Sequence, residues 1–125
     1  MIFLFDENTS KHLVDFMYQM GAINIRHLQE FYPQGTKDPE FLPYVAEEGM
    51  ILVSADKAMR KAHKELLKQH NVKVLFLPSA YVEKWTIWEQ AIFMFRYWRE
   101  IEEAVQRLKS LTTKDISLTG KLNDT

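Results

Sequence analysis

Short continuous apolar runs alternate with helically spaced segments along the first eighty residues. Ile2-Phe3-Leu4-Phe5, Met50-Ile51-Leu52-Val53 and Lys73 to Leu77 have the unbroken apolar character of strands covered on both faces. Ala22 to His27, in which Ile23 and Ile25 alternate with polar neighbours, predicts a less buried strand nearer an edge. Between these runs the period changes. Leu13, Phe16, Met17 and Met20 follow Ser10 at helical spacing, and Gly21 ends the pattern. Asp38-Pro39 has the form of an N-cap followed by proline at the first helical position, with Phe41, Leu42 and Val45 as the apolar face and Gly49 as the stop. Lys57 to His70 predicts a third helix, facing inward through Ala58, Met59, Ala62, Leu66 and Leu67. The β-α-β-α-β-α-β alternation predicts an α/β fold: a mostly parallel central sheet with helices on both faces, since parallel neighbours need crossover connections.

The segment from Val82 to about Ser110 predicts one long C-terminal helix. Trp85, Trp88, Ile92, Phe95, Trp98, Ile101, Val105 and Leu108 read as one stripe, with Ile87, Phe93, Met94 and Tyr97 outside it. That is more apolar circumference than one buried face requires, so the expectation divides between a deeply buried helix and one that also meets a partner. Ile116-Ser117-Leu118 predicts a short last strand, and Gly120 turns the chain into a polar tail. The expected organisation is one domain over residues 1–125, with a core over 1–78, the aromatic helix over 82–110, and a strand and tail over 111–125.

Composition narrows the chemistry. Apolar residues at 46% and charged residues at 26% of 125 are globular values. Cysteine is absent, so thiolate metal sites and disulfides are excluded, and a metal would be held by oxygen or imidazole. The net charge of −1 argues against a globally basic nucleic-acid surface but leaves a local basic stripe open. No basic stretch precedes the first apolar run, and no run approaches the roughly 20 residues of a membrane span. A cytoplasmic protein without membrane insertion is expected.

The candidate site consists of acids. Asp6 and Asp56 each stand just beyond a buried strand, where sites form in open parallel sheets. Either one alone could be an ordinary helix cap, worth about 1 kcal/mol. Together they would repel unless a cation neutralised them, an arrangement suited to Mg²⁺ or Mn²⁺. Asp38 or Glu40 could add a third carboxylate. Glu7 and Asn8 could hold metal-bound water, Asn8 the better candidate, or simply face solvent. Lys57, Arg60, Lys61 and Lys64, following Asp56, could position a phosphate backbone, or simply cover a solvated helix face. His12, His27, His63 and His70 show no ligand spacing and read as surface or boundary residues. There is no Gly-rich phosphate loop or G-x-S-x-G element.

Phe3-Leu4-Phe5-Asp6-Glu7-Asn8, Gly21-Ala22-Ile23-Asn24-Ile25-Arg26-His27, Lys37-Asp38-Pro39-Glu40 and Leu52-Val53-Ser54-Ala55-Asp56 resemble, in order, the PIN-like domains of VapC-type toxins. The stretch from Trp85 through Ile101 is similar to the C-terminal helix of one branch of them. This resemblance implies a small Mg²⁺-dependent endoribonuclease of a toxin–antitoxin system, with Asp6, Asp38 and Asp56 as its acidic residues, RNA as substrate and a cognate antitoxin as partner. A homodimer through the C-terminal helix is a further expectation. Many such domains carry a fourth acidic residue after a later strand, where this chain has Pro78-Ser79-Ala80. Two readings compete: a phospho-acceptor receiver domain, with Asp56 as acceptor but Leu77-Pro78 where a Lys-Pro pair is usual, and a catalytically silent PIN-like interaction module. A haloacid-dehalogenase-like phosphatase fits less well, because Asn8 stands where it would need an aspartate.

Overall fold

A computed structural model describes residues 1–125. The elements run β1 Phe3–Phe5, α1 Lys11–Gln19, β2 Ile25–His27, α2 Asp38–Glu47, β3 Ile51–Ser54, α3 Ala58–Ala62, α4 Lys64–Gln69, β4 Val74–Phe76, α5 Ala80–Glu83, α6 Ile87–Gln106, β5 Lys114–Ile116 and β6 Leu122–Asp124, with a 3-10 turn over Leu28–Glu30. They form an α/β fold around one six-stranded sheet of order β2-β1-β3-β4-β5-β6, parallel except for the β5–β6 pair. Phe3 stands opposite Ile25 on one side and Ile51 on the other, so β1 is central.

Strand alternation divides the core into two layers. Phe3, Phe5, Ile51, Val53, Leu75 and Leu77 face α1, α5 and α6, where they meet Leu13, Val14, Met17, Tyr81, Phe93, Met94 and Trp98. Leu4, Leu52, Val74 and Phe76 face the opposite way, towards Phe41, Leu42 and Val45 of α2 and Met59 of α3. Because both faces are covered, the strands carry no polar alternation, which is why they appear as continuous apolar runs. Ser10 caps α1 by accepting from the His12 amide at 3.1 Å, and Gly21 follows in a left-handed conformation with φ +115°.

Several boundaries differ from the sequence expectation. The strand expected over Ala22–His27 is shorter, and Ile23 is exposed. The helix expected over Lys57–His70 is two short helices, broken where His63 leaves helical dihedrals at φ −122°, ψ 29°. A one-residue break leaves the apolar phase almost unchanged, so periodicity does not register it. The helix expected from Val82 to Ser110 is likewise divided into α5 and α6. Thr86 and Glu89 form a capping box that restarts the chain as α6, and the Thr86-x-x-Glu89 spacing was the available signal. The inward stripe of α6 is Phe93, Met94, Trp98, Ile101 and Val105; Trp88, Ile92 and Phe95 lie outside it and are exposed, while Trp85 precedes the helix and packs on Tyr81 and Phe93. The strand expected at Ile116–Leu118 is Lys114–Ile116, with Leu118 exposed, and the expected polar tail supplies a further strand, β6. Gly120 makes that hairpin possible: its φ is +74°, and a Cβ there would lie 2.7 Å from the Tyr97 Cβ.

Candidate metal site at the strand switch point

Strand order reverses between β1 and β3, since β2 lies on one side of β1 and β3 on the other. The crevice beyond their carboxyl ends is the usual ligand site of a doubly wound sheet. Asp6 continues β1 there: its backbone amide donates to the Val53 carbonyl at 3.2 Å, and its side chain is buried. Asp56 follows β3 and is exposed, with Oδ1 accepting from the Ala58 amide at 3.1 Å. The N-cap of α3 is Lys57, so this bond closes a local turn before the helix and leaves the Asp56 carboxylate in the crevice. Asp38 differs. The N-cap of α2 is Lys37, so the Asp38 carboxylate is released from capping and faces His63 Nε2 at 3.4 Å. All three carboxylates line one small cavity of about 140 Å³, with Glu7, Asn8, Leu28, Thr36 and Phe41 completing its wall.

The electrostatics follow from this crowding. Burial, reinforced by the charges of Asp38 and Asp56, pushes the Asp6 carboxyl up to about 7 against the pull of the nearby Ser54 hydroxyl and of the hydrogen bond from the Asn8 amide. Asp38 is also raised, by partial burial and then by Asp56, with His63 and Lys37 opposing. Next to the acids, Tyr81 is pushed up to about 12 by burial, opposed by its hydrogen bond with Thr9 and reinforced by the Asp6 charge.

Of the other residues expected at the site, Asn8 and Glu7 line the cavity, whereas Glu40 is exposed on α2 away from its wall. Lys57, Lys61 and Lys64 lie on or beside α3 and α4, and none lines the cavity. Arg60 is directed elsewhere: its guanidinium stands 2.6 Å from Asp115 of β5 and 4.5 Å above the Phe76 ring. Sequence reasoning missed three wall or support residues. His63 enters through the helix break, Thr36 through the loop before α2, and Ser54 through its hydroxyl bond to the Asn8 side chain. Nothing in their spacing announces them. His27 is buried rather than a surface or boundary residue: Nε2 donates to the Thr9 carbonyl at 2.7 Å while Nδ1 accepts from the Gln29 amide.

A family model described as a PIN-like domain matches residues 1–79, the stretch that carries all three carboxylates. The chain belongs to the PIN-like domain family. Comparison with curated proteins and with solved structures gave no match. This PIN-like domain has a nuclease-type fold. Through β5 the strand order is also that of phospho-acceptor receivers, so the family match, more than the sheet, separates the two readings. In the PIN-like domain no three His, Cys, Asp or Glu side chains are grouped closely enough to enclose a metal ion by themselves. The donor set still fits a hydrated one: it is all oxygen, it is crowded with like charge, and Mg²⁺ commonly keeps several waters while binding through one or two carboxylates. No helix is long and apolar enough to cross a membrane.

Proposed function

We propose that the chain is a divalent-metal-dependent endoribonuclease of the VapC toxin type. The observation that carries this reading is the meeting of three carboxylates, from segments far apart in the chain, in one polar cavity at the strand switch point. Asp6, Asp38 and Asp56 would hold Mg²⁺ or Mn²⁺. When bound, the ion would offset their mutual repulsion, acidify a water and stabilise charge on the phosphoryl oxygens. Asp6, buried at the base, supplies the least solvated carboxylate and gains most from neutralisation. His63 partly balances Asp38, and the polar groove lined by Glu7, Gly35, Thr36, Lys37, Asp38, Pro39 and His63 offers a path for a phosphate backbone into the cavity. Lys57, Lys61 and Lys64 extend positive charge along the adjoining surface.

The toxin assignment rests on the sequence resemblance. It is consistent with the exposed apolar face formed by Phe16 of α1 with Trp88, Ile92 and Phe95 of α6, in which Phe16 and Phe95 rings meet at 5.5 Å. Such a face suits an antitoxin or a second copy of the chain.

Asp6→Asn should abolish Mg²⁺-dependent cleavage of single-stranded RNA and relieve growth arrest on expression, with circular dichroism unchanged. Undiminished cleavage by the folded variant would refute the assignment of Asp6. Labelling of Asp56 by acetyl phosphate in place of RNA cleavage would replace this reading with the receiver one.

A further inference from the structure

We infer that Glu7 and Asn8 are positioning residues that hold the segments carrying Asp38 and Asp56 against Asp6, each acting through a side-chain oxygen acceptor. The inference rests on the metal-site reading above. It changes the expected role of both residues, from binding metal-bound water to assembling the carboxylates.

Three hydrogen bonds define the Asn8 arm. Its backbone amide donates to Asp6 Oδ1 at 3.0 Å, and its side-chain Oδ1 accepts from the Ser54 hydroxyl at 3.0 Å and the Ala55 amide at 2.9 Å. Ser54 Oγ in turn accepts from the Asp56 amide at 3.0 Å. An unbroken polar chain therefore runs from the Asp6 carboxylate to the backbone of Asp56. With its acceptor committed to two donors, Asn8 keeps only its amide NH₂ for any other partner.

Glu7 makes the second arm. Its Oε1 accepts from the Gly35 amide at 2.6 Å, across 28 residues of sequence. The Pro33–Thr36 turn otherwise closes on itself: both the Thr36 amide and the Thr36 hydroxyl donate to the Pro33 carbonyl. Within that turn the Glu7 bond is the one reaching another element, and Asp38 follows the turn after Lys37. The two residues after Asp6 thus reach in different directions, each to the segment bearing one of the other acids. No spacing rule exposes this, because the partners come from segments distant in the sequence, the end of β3 and the turn before α2.

Substitutions that keep or remove the acceptor test the inference. Glu7→Gln retains Oε1 and removes the charge; Glu7→Ala removes both. Ser54→Thr retains a hydroxyl and Ser54→Ala does not. Mn²⁺ affinity measured by electron paramagnetic resonance, and kcat and KM for RNA cleavage, should fall about 10- to 100-fold in affinity or kcat for Glu7→Ala, Asn8→Ala and Ser54→Ala, with KM little moved. Glu7→Gln should stay nearer to wild type than to Glu7→Ala, and Ser54→Thr should recover most of what Ser54→Ala loses. Hydrogen exchange should show the Gly35 amide unprotected in Glu7→Ala but protected in Glu7→Gln, and the Ala55 amide unprotected in Asn8→Ala. Equal damage from Glu7→Gln and Glu7→Ala would mean that Glu7 acts through its charge and would overturn the proposal. Wild-type behaviour of Glu7→Ala would overturn it as well. If the wild-type protein cleaves no RNA, the nuclease reading fails, and the amide exchange and Mn²⁺ affinity still decide the positioning roles. Should Asn8→Ala not fold, the Glu7 pair and Ser54→Thr give the same decision.

Discussion

Asp6 is the residue on which the site's pH behaviour depends. Its carboxyl is pushed up to about 7 by burial and by two neighbouring acids, from an ordinary value of 3.8. The folded chain therefore binds this proton more tightly than the unfolded chain does. Stability from this group is present below the unfolded value and declines as pH rises from about 4 to about 7, by at most about 4 kcal/mol. In EDTA the wild type should melt at a lower temperature at pH 7.5 than at pH 5, and Asp6→Asn should flatten most of that difference. Mg²⁺ should raise Tm more at pH 7.5 than at pH 5, since ligand carboxylates must be ionised, and the variant should respond weakly. A pH dependence of Tm identical in the two proteins would contradict the crowded, buried carboxylate. Asp38, also raised, acts in the same direction and accounts for any slope left in the variant.

At the scale of elements, α6 separates two tryptophans that the apolar pattern placed in one stripe. Trp85 packs its ring 6.0 Å from Tyr81 and 5.2 Å from Phe93, whereas Trp88, next to the first residue of the helix, is 74% exposed. Trp85→Ala should lower stability by about 2–4 kcal/mol in a denaturant melt. Trp88→Ala should change it by less than about 0.5 kcal/mol, and weaken association in sedimentation if the exposed face meets a partner. Comparable destabilisation by both would mean that Trp88 is packed. The β5–β6 hairpin gives a second test at this scale. Gly120→Ala meets the Tyr97 ring and a positive φ together, so it should cost about 1–3 kcal/mol and release Leu122 from the core, read as faster amide exchange in β6.

For the whole molecule, a net charge of −1 leaves RNA to be attracted by local charge. Replacing Lys61 and Lys64 by Ala should weaken RNA binding evenly across sequences and flatten its dependence on salt, by about 0.7 in the log–log slope for each phosphate no longer neutralised. An unchanged slope would remove these lysines from the path of the backbone. The α/β class, the parallel sheet and the places of Asp6 and Asp56 beyond β1 and β3 were legible because a strand buried on both faces must be apolar throughout and its end is marked by the first charge. Asp38 was legible as a candidate, but as a helix cap, and capping is a decision of one hydrogen bond that composition does not contain. The break at His63 and the pairing of β6 were not legible in the apolar pattern, whereas the restart of the chain after Lys84 was marked by the Thr86-x-x-Glu89 spacing. Local pattern, which reports burial along one element, determined the layers and two of the three acids. The meeting of Asp6, Asp38 and Asp56 was expected from their places after two buried strands and at a helix start, but the cavity wall they share, the turn of Arg60 towards Asp115 and the links from Glu7 and Asn8 were decided by the tertiary structure alone, because they join residues whose separation in sequence carries no periodic signal.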